Sequence, residues 1–291
     1  MREQVLKSKH VIIWLVLFLC APCSYAQKIK AYLYHMHPPF VEEPLHHTNM
    51  QKGLAVDFVH LLNQHKLNTS YVFELSPRPR ERLNHELAPW VSGRCDKNST
   101  PCDSNWVVLF VTPQWGWGKN AEQRFRWIAL FEDADLIISN INNHVHFDGF
   151  HSFKGKVFGT MLGHKYPAEL EKMFQLGLVQ RDDATQMSVV INRIMHNRVD
   201  VAMIQQSHLH YRMRHGDEAF NINSNIYISK PPFKSFTVQV MLPPSQSSML
   251  EELIKSVAAS KEWAERLCYY GIKPLNDGTD CLSEGTSIKK P

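Results

Sequence analysis

The stretch Lys28-Ile29-Lys30-Ala31-Tyr32-Leu33-Tyr34, running on into His35-Met36-His37-Pro38-Pro39-Phe40, decides the reading of this chain. Its first seven residues alternate polar and apolar, the period of a strand, and the prolines stiffen the loop that follows. Gly53 then opens residues 54–62, whose apolar positions recur at helical spacing. Residues 71–75 read as the next strand and 78–87 as a short charged helix. Residues 106–111 (WVVLFV) read as a strand buried on both faces. Strand and helix alternate, which predicts an α/β fold built on a mostly parallel sheet.

The alternation continues downstream. An aromatic and polar loop from Thr112 to Arg126 leads to a predicted strand at 135–139. A strand at 156–161 ends at Gly163, before a helix starting near Pro167. Residues 188–196 carry a helical apolar stripe and 199–204 (VDVAMI) the strand after it. Residues 236–242 alternate as a last strand, and 249–258 with 261–268 form two terminal helices.

Upstream, Arg2, Lys7 and Lys9 precede an apolar run, VIIWLVLFL at 11–19, and Ser24-Tyr25-Ala26 offers a cleavage site. These are the parts of a secretory signal over residues 1–26. The run is too short to span a bilayer, which takes about 20 apolar residues. Cys20 and Cys23 lack the preceding small residues that lipid attachment needs. The expectation is a periplasmic protein beginning near Gln27. Its length suits two lobes.

The whole chain of 291 residues has a formal charge of +4, and loss of the signal lowers this by two. Such a near-neutral balance excludes a nucleic-acid binder. No repeat or later membrane-length apolar stretch follows. Of six cysteines, four lie beyond the signal, in two local pairs, Cys95 with Cys102 and Cys268 with Cys281. An oxidising compartment makes both pairs candidate disulfides; four cysteines permit three connectivities, and neither pair has zinc-knuckle spacing.

Several phrases, in this order, make the chain resemble bacterial extracellular solute-binding proteins of family 3. They are Pro38-Pro39-Phe40, Gly53 with Asp57, Lys154-Gly155-Lys156-Val157 with Gly159, Gly163 with Tyr166, and Asn197-Arg198-Val199-Asp200-Val201. The resemblance implies two α/β lobes, each with a mixed five-stranded sheet, joined by crossings near 131–141 and 225–237. Lobe one would comprise 27–132 and 233–275, lobe two 133–232, and 276–291 a tail. It implies a monomer that captures a small polar solute, amino-acid-like or an organic acid, by hinge closure. An ABC-type permease or a sensor would read the closed state. Neither catalysis nor a cofactor is expected.

In open α/β sheets ligands lie beyond the carboxyl ends of the strands. That places His35 and Phe40 on one wall and Trp115 and Trp117 on another, flat apolar faces with an indole donor. Arg80, Arg124 and Arg126, with Arg78, are the candidate carboxylate clamps, since a guanidinium fork matches both oxygens. In lobe two, Gly163 and Tyr166 border a helix start whose free amides would attract an anion, and Gln205 ends a strand. The family's S-x-T-x-x-R phrase is replaced here by Thr112-Pro113-Gln114-Trp115-Gly116-Trp117. Gln205 stands where many members carry the carboxylate that holds the ligand's amino group. Asp200 is expected to be structural and Asp183 to cap the following helix.

The 16 histidines include His35-x-His37, His144-x-His146, His208-x-His210 and His46-His47. In a strand an i, i+2 pair faces one side, so His35 with His37 is an alternative metal site. No G-x-S-x-G, H-E-x-x-H or phosphate-cradling glycine loop is present, so an enzyme on this fold remains the more distant alternative.

Overall fold

The computed structural model describes residues 26–42, 52–95, 102–215, 225–275 and 281. The expected signal, apart from Ala26, and the expected tail, apart from Cys281, lie outside the described residues. So do His46 and His47.

The strands are β1 (Gln27–Leu33), β2 (Tyr71–Pro77), β3 (Trp106–Val111), β4 (Arg126–Asn140), β5 (Val157–Met161), β6 (Gln180–Ala184), β7 (Val201–Gln205), β8 (Ile226–Ile228) and β9 (Lys234–Leu242). The helices are α1 (Leu54–Gln64), α2 (Arg80–Glu86), α3 (Ala88–Val91), α4 (Ala121–Arg124), α5 (Ala168–Gln175), α6 (Met187–Met195), α7 (Gln206–His215), α8 (Ser248–Ala258) and α9 (Lys261–Tyr269).

Nine strands form one continuous sheet in the order β2-β1-β3-β9-β4-β7-β5-β6, with β8 paired to β4. β1 pairs in parallel with β2 and β3, and β5 with β6 and β7. β4 and β9 run antiparallel to their neighbours. The two halves are therefore not separate sheets: β4 runs through both, flanked by β9 in the first and by β7 and β8 in the second. The crossing falls where Glu132–Asp135 of β4 pair with Lys234–Thr237 of β9.

Each half has its own core. In the first, α1 buries Leu54, Ala55, Phe58, Val59 and Leu62 against β1 and β3, and α8 and α9 add Leu250, Leu253, Ile254 and Trp263. Ser247 and Ser260 cap α8 and α9 by accepting from Leu250 N at 3.1 Å and Trp263 N at 3.2 Å, each cap worth about 1 kcal/mol. β3 is buried at every residue, as its place between β1 and β9 requires. In the second half, α6 packs Val190, Ile191 and Ile194 against Ala202 and Ile204 of β7. The opposite face holds Phe153, Phe158 and Leu170. Gly159 lets α6 approach: a Cβ there would lie 2.6 Å from Val190 Cγ1.

Cys95–Cys102 and Cys268–Cys281 are disulfide-bonded, with Cα separations of 5.7 and 5.2 Å. Asp200 is structural, accepting from Val157 N at 2.7 Å. Asp183 does not cap α6; its carboxylate takes Thr160 Oγ1 at 2.8 Å and Arg181 Nε at 3.0 Å, and Gln186 holds the cap position.

Candidate ligand cleft

Because β3 is antiparallel to β9, its carboxyl end, Val111 opposite Gln239, points toward the start of β9, and the carboxyl end of β7 meets β4 at Asp135. Parallel strands from both halves therefore end at the crossing, where loops from either side face one another.

From the first half comes the turn after β1. Pro39 O accepts from Leu54 N at 2.9 Å and Phe40 O from Ala55 N at 3.1 Å, so the turn is bolted to the start of α1. Gly53 makes this fit possible: it sits at φ 130°, and a Cβ there would lie 2.5 Å from Phe40 O. The turn holds His35 and His37 with ring centroids 5.6 Å apart. The Trp115 ring lies 5.3 Å from His35 and 5.2 Å from Phe236. Phe110 adopts φ 57°, a left-handed value uncommon for a bulky residue, at the register shift of β3 against β9.

From the second half, α7 brings His208 to the same turn. Its Nδ1 donates to Pro38 O and lies 3.0 Å from His37 Nδ1. On another side of the crossing, the backbone at Gly163 comes close to Glu81 of α2. The halves touch at a third place too, where Arg214 Nη1 of α7 donates to Cys268 O of α9 at 3.1 Å and the Tyr211 ring lies 6.1 Å from that of Tyr270.

Burial leaves polar atoms without partners. His35 is 5 % exposed and neither ring nitrogen is hydrogen-bonded. His208 Nε2, Gln205 Oε1 and Arg212 Nε are also buried and unpartnered. Each such group costs about 1–3 kcal/mol unless something supplies its hydrogen bond. Burial holds His35 and His208 well below the ordinary histidine value and His37 at about 4; His164 is lowered too. With its proton on Nδ1, neutral His208 presents Nε2 as an acceptor.

Two carboxyls stand on the crossing strand. Asp133 is 6 % exposed, and its oxygens accept from Ala134 N, Ser207 N and Ser207 Oγ, the last at 2.6 Å, so it closes the start of α7. Burial pushes it up to about 6. Asp135 is raised to about 7, first by burial and then by Asp133, with Lys234 opposing.

The structure gathers some expected site residues and disperses others. His35 lies against Trp115 with the fully buried Phe40 behind it, and Gln205 ends β7 opposite Asp135 at the crossing. Arg80 lies close by, with its guanidinium 3.8 Å over the Trp117 ring and Nη2 donating to Trp115 O at 2.6 Å. Trp117 itself is 1 % exposed and donates to Thr112 O, so it supports Arg80 from within the core. Tyr166 spends its hydroxyl on Met161 N at 2.9 Å. Just before the helix start behind Gly163, Tyr166 N donates to the Glu171 carboxylate at 2.8 Å, which sets a negative charge beside that start.

Arg124 and Arg126 lie elsewhere. Arg126 begins β4 opposite Leu242, nine residues from Asp135 along the strand, roughly 30 Å at about 3.3 Å per residue. It pairs with Glu251 at 2.9 Å. Arg124 donates to Val91 O and borders a groove of about 520 Å³, lined also by Trp90, Cys95 and Pro244, at that remote end. Asp135, His164, His208 and Arg212 are the cleft residues that sequence reading did not select.

Among the described residues no three His, Cys, Asp or Glu side chains are placed to hold a metal. His37 has both His35 and His208 beside it, but the three rings are not disposed around one ion.

No family model and no curated protein matches the chain. Solved structures do. An ancestral arginine-binding protein bound to arginine aligns at a TM-score of 0.56 and 15% identity, over 84% of this chain and 98% of that one. The chain has the two-lobed fold of solute-binding proteins. The GluR0 ligand-binding core from Nostoc punctiforme, in complex with L-glutamate, shares this binding-protein fold at a TM-score of 0.55 and 12% identity, over 83% and 98%. So does an amino acid ABC transporter substrate-binding protein from Streptococcus pneumoniae bound to L-arginine, at 0.52 and 14% identity, over 84% and 90%. Among the described residues of this chain no helix is long and apolar enough to cross a membrane.

Proposed function

We propose that the protein is an exported, monomeric receptor that captures a small polar solute, amino-acid-like or an organic acid, between its two lobes. The observation that carries this is the set of buried, unpartnered polar atoms converging from both halves: His35 from one, and Gln205, His208 and Arg212 from the other. A solute that supplies their missing hydrogen bonds does so only when the halves meet, which couples binding to closure. Residues 27–132 with 233–275 act as one lobe and 133–232 as the other, after removal of residues 1–26. An ABC-type permease or a sensor in the membrane reads the closed form.

A thermal-shift screen of residues 27–291 against amino acids, organic acids, amines and short sugars tests this, paired with small-angle scattering. One solute class should raise the melting point through linkage and compact the molecule. Stabilisation without compaction, or no stabilisation by any polar solute, counts against the receptor reading. Stabilisation by zinc or copper alone would instead favour the metal alternative at His35 and His37.

A further inference from the structure

We infer that α7 is an acid-labile latch between the two halves: His208, Tyr211, Arg214 and His215 favour the closed form by direct contacts with the first half, and protonation of the His37–His208 pair releases them. The latch belongs to the chain alone and needs no solute, although a solute that favours closure adds to it.

The placement of α7 carries the inference. The helix is anchored in the second half, where Leu209 is buried in the core beside Ile204 and Asp133 accepts from Ser207. Its other side chains look across the crossing. His208, Tyr211 and His215 are spaced i, i+3 and i+7, which sets them on one face, and all three meet the first half. His208 Nδ1 donates to Pro38 O. The Tyr211 ring packs on the first half's core, 6.1 Å from Tyr270, and the His215 ring lies 5.9 Å from Tyr269. Arg214 Nη1 donates to Cys268 O at 3.1 Å and lies against Gly271, where a Cβ would come within 3.4 Å of it.

These contacts run from the turn after β1 to the end of α9. They account for the composition of α7, which buries only Ser207, His208 and Leu209 of its ten residues. A helix serving its own half alone would carry a wider apolar stripe.

The imidazole pair is the part that acid changes. The two Nδ1 atoms lie 3.0 Å apart with ring centroids 4.6 Å apart, and His37 Nδ1 is also 2.9 Å from Pro38 O. One shared proton satisfies this arrangement, because one Nδ1 donates while the other accepts. With both rings charged, each Nδ1 carries a hydrogen, so two donors and two like charges would face one another at a place where His208 is 1 % exposed.

Nothing nearby offsets that repulsion. The groups around the pair are His35 of the same turn, Arg212 of α7, His164 beyond β5 and Arg80 of α2, all of them basic. Asp133 of β4 faces the start of α7, but three donors already occupy its oxygens. Glu42 and Asp57 lie at the other end of the latch, beside Tyr211 and Tyr270. Opening separates and hydrates both rings, so the open form takes up protons that the closed form refuses. Closure is therefore fully favoured above the ordinary histidine value, about 6.5, and weakens as pH falls below it.

The test is small-angle scattering of the exported protein without solute at pH 7.5, 6 and 5, with near-ultraviolet circular dichroism to show that it stays folded. The radius of gyration should rise as pH falls while the native dichroism persists. Each histidine that gains a proton lowers the closed-to-open ratio by up to about 10-fold per pH unit. His208→Asn, which keeps a donor for Pro38 O, should weaken this slope, and the double variant H37N/H208N should abolish it. Arg214→Gln removes a bond remote from the imidazoles, so it should lower the closed-to-open ratio about 2- to 10-fold at pH 7.5 and leave the acid response in place. A wild-type radius independent of pH overturns the latch, as does expansion only with loss of the native dichroism. So does an acid response undiminished in H37N/H208N, or in H208N should the double variant not fold. An R214Q radius equal to that of the wild type at pH 7.5 also overturns it. Because no solute is present, none of these results bears on the receptor reading.

Discussion

His208 is 1 % exposed and its Nε2 has no partner, while Nδ1 reaches across to Pro38. A free histidine titrates near 6.5, and burial lowers His35, His37 and His208. The unfolded chain therefore binds more protons at these positions below about 6.5, and their contribution weakens stability as pH falls toward 4. Asp133 and Asp135, whose values are raised, oppose this over the same range. His208→Asn keeps a donor for Pro38 O but cannot titrate. Urea unfolding at pH 6.5, 5.5 and 4.5 should show a shallower acid loss in the variant, by up to about 1.4 kcal/mol per pH unit. Parallel pH profiles would show that His208 is not a source of the acid sensitivity. At this scale the sequence made His35, Phe40, Trp115 and Gln205 candidates, because they lie at or beyond strand ends. It hid His208: an i, i+2 histidine pair on a helix points two ways, so the phrase His208-x-His210 resembles a paired site and contributes one cleft residue.

The loop 37–41 depends on a single residue outside it. Gly53→Ala would put a methyl group into the backbone of Phe40 and impose a strained φ on alanine. A loss of about 2–4 kcal/mol in chemical unfolding is expected, with His37 displaced from His208. An unchanged unfolding midpoint would show that this turn can relax without cost. Gly159→Ala, pressed against Val190, should cost about 1–3 kcal/mol on the other half while leaving the His37 contact in place. Element prediction worked where apolar periodicity was strong, as in α1, α6, α8 and β3. It failed at β6, whose sequence Gln-Arg-Asp-Asp-Ala offers no alternation because it is an edge strand with one neighbour, β5. It also missed α7, whose polar sequence rests on Leu209 and His208 for its buried face. The start of β4 was hidden by its bulge between Ala129 and Phe131, so Arg126 was assigned to a loop bordering the cleft.

Across the molecule, the two halves share β4 and are tied by β9. Any opening must therefore bend a hydrogen-bonded ribbon rather than swing on a slack linker, with the bend at Glu132–Asp135 and Lys234–Thr237. Hydrogen exchange should locate it: amides at these positions should lose protection on opening, ahead of β3 and β7. The first disulfide closes a short loop of seven residues' separation beside the remote groove, so replacing Cys95 and Cys102 by Ser should cost about 2–3 kcal/mol. Solute-driven compaction should survive that replacement. The alternation of elements was legible because strand periodicity survives without knowledge of partners. The sharing of strands was not, since pairing order is a property of distant segments.

β9 lies between β3 and β4 although it is the last strand among the described residues. A chain emerging from its amino end therefore completes β5, β6 and β7 while β1, β2 and β3 still lack their inner neighbour. The half written first is finished last. Growing chains that stop before Lys234 should carry an assembled second half beside an exposed edge at β3. The interval before β9 arrives is when this protein most needs protection from pairing with another chain.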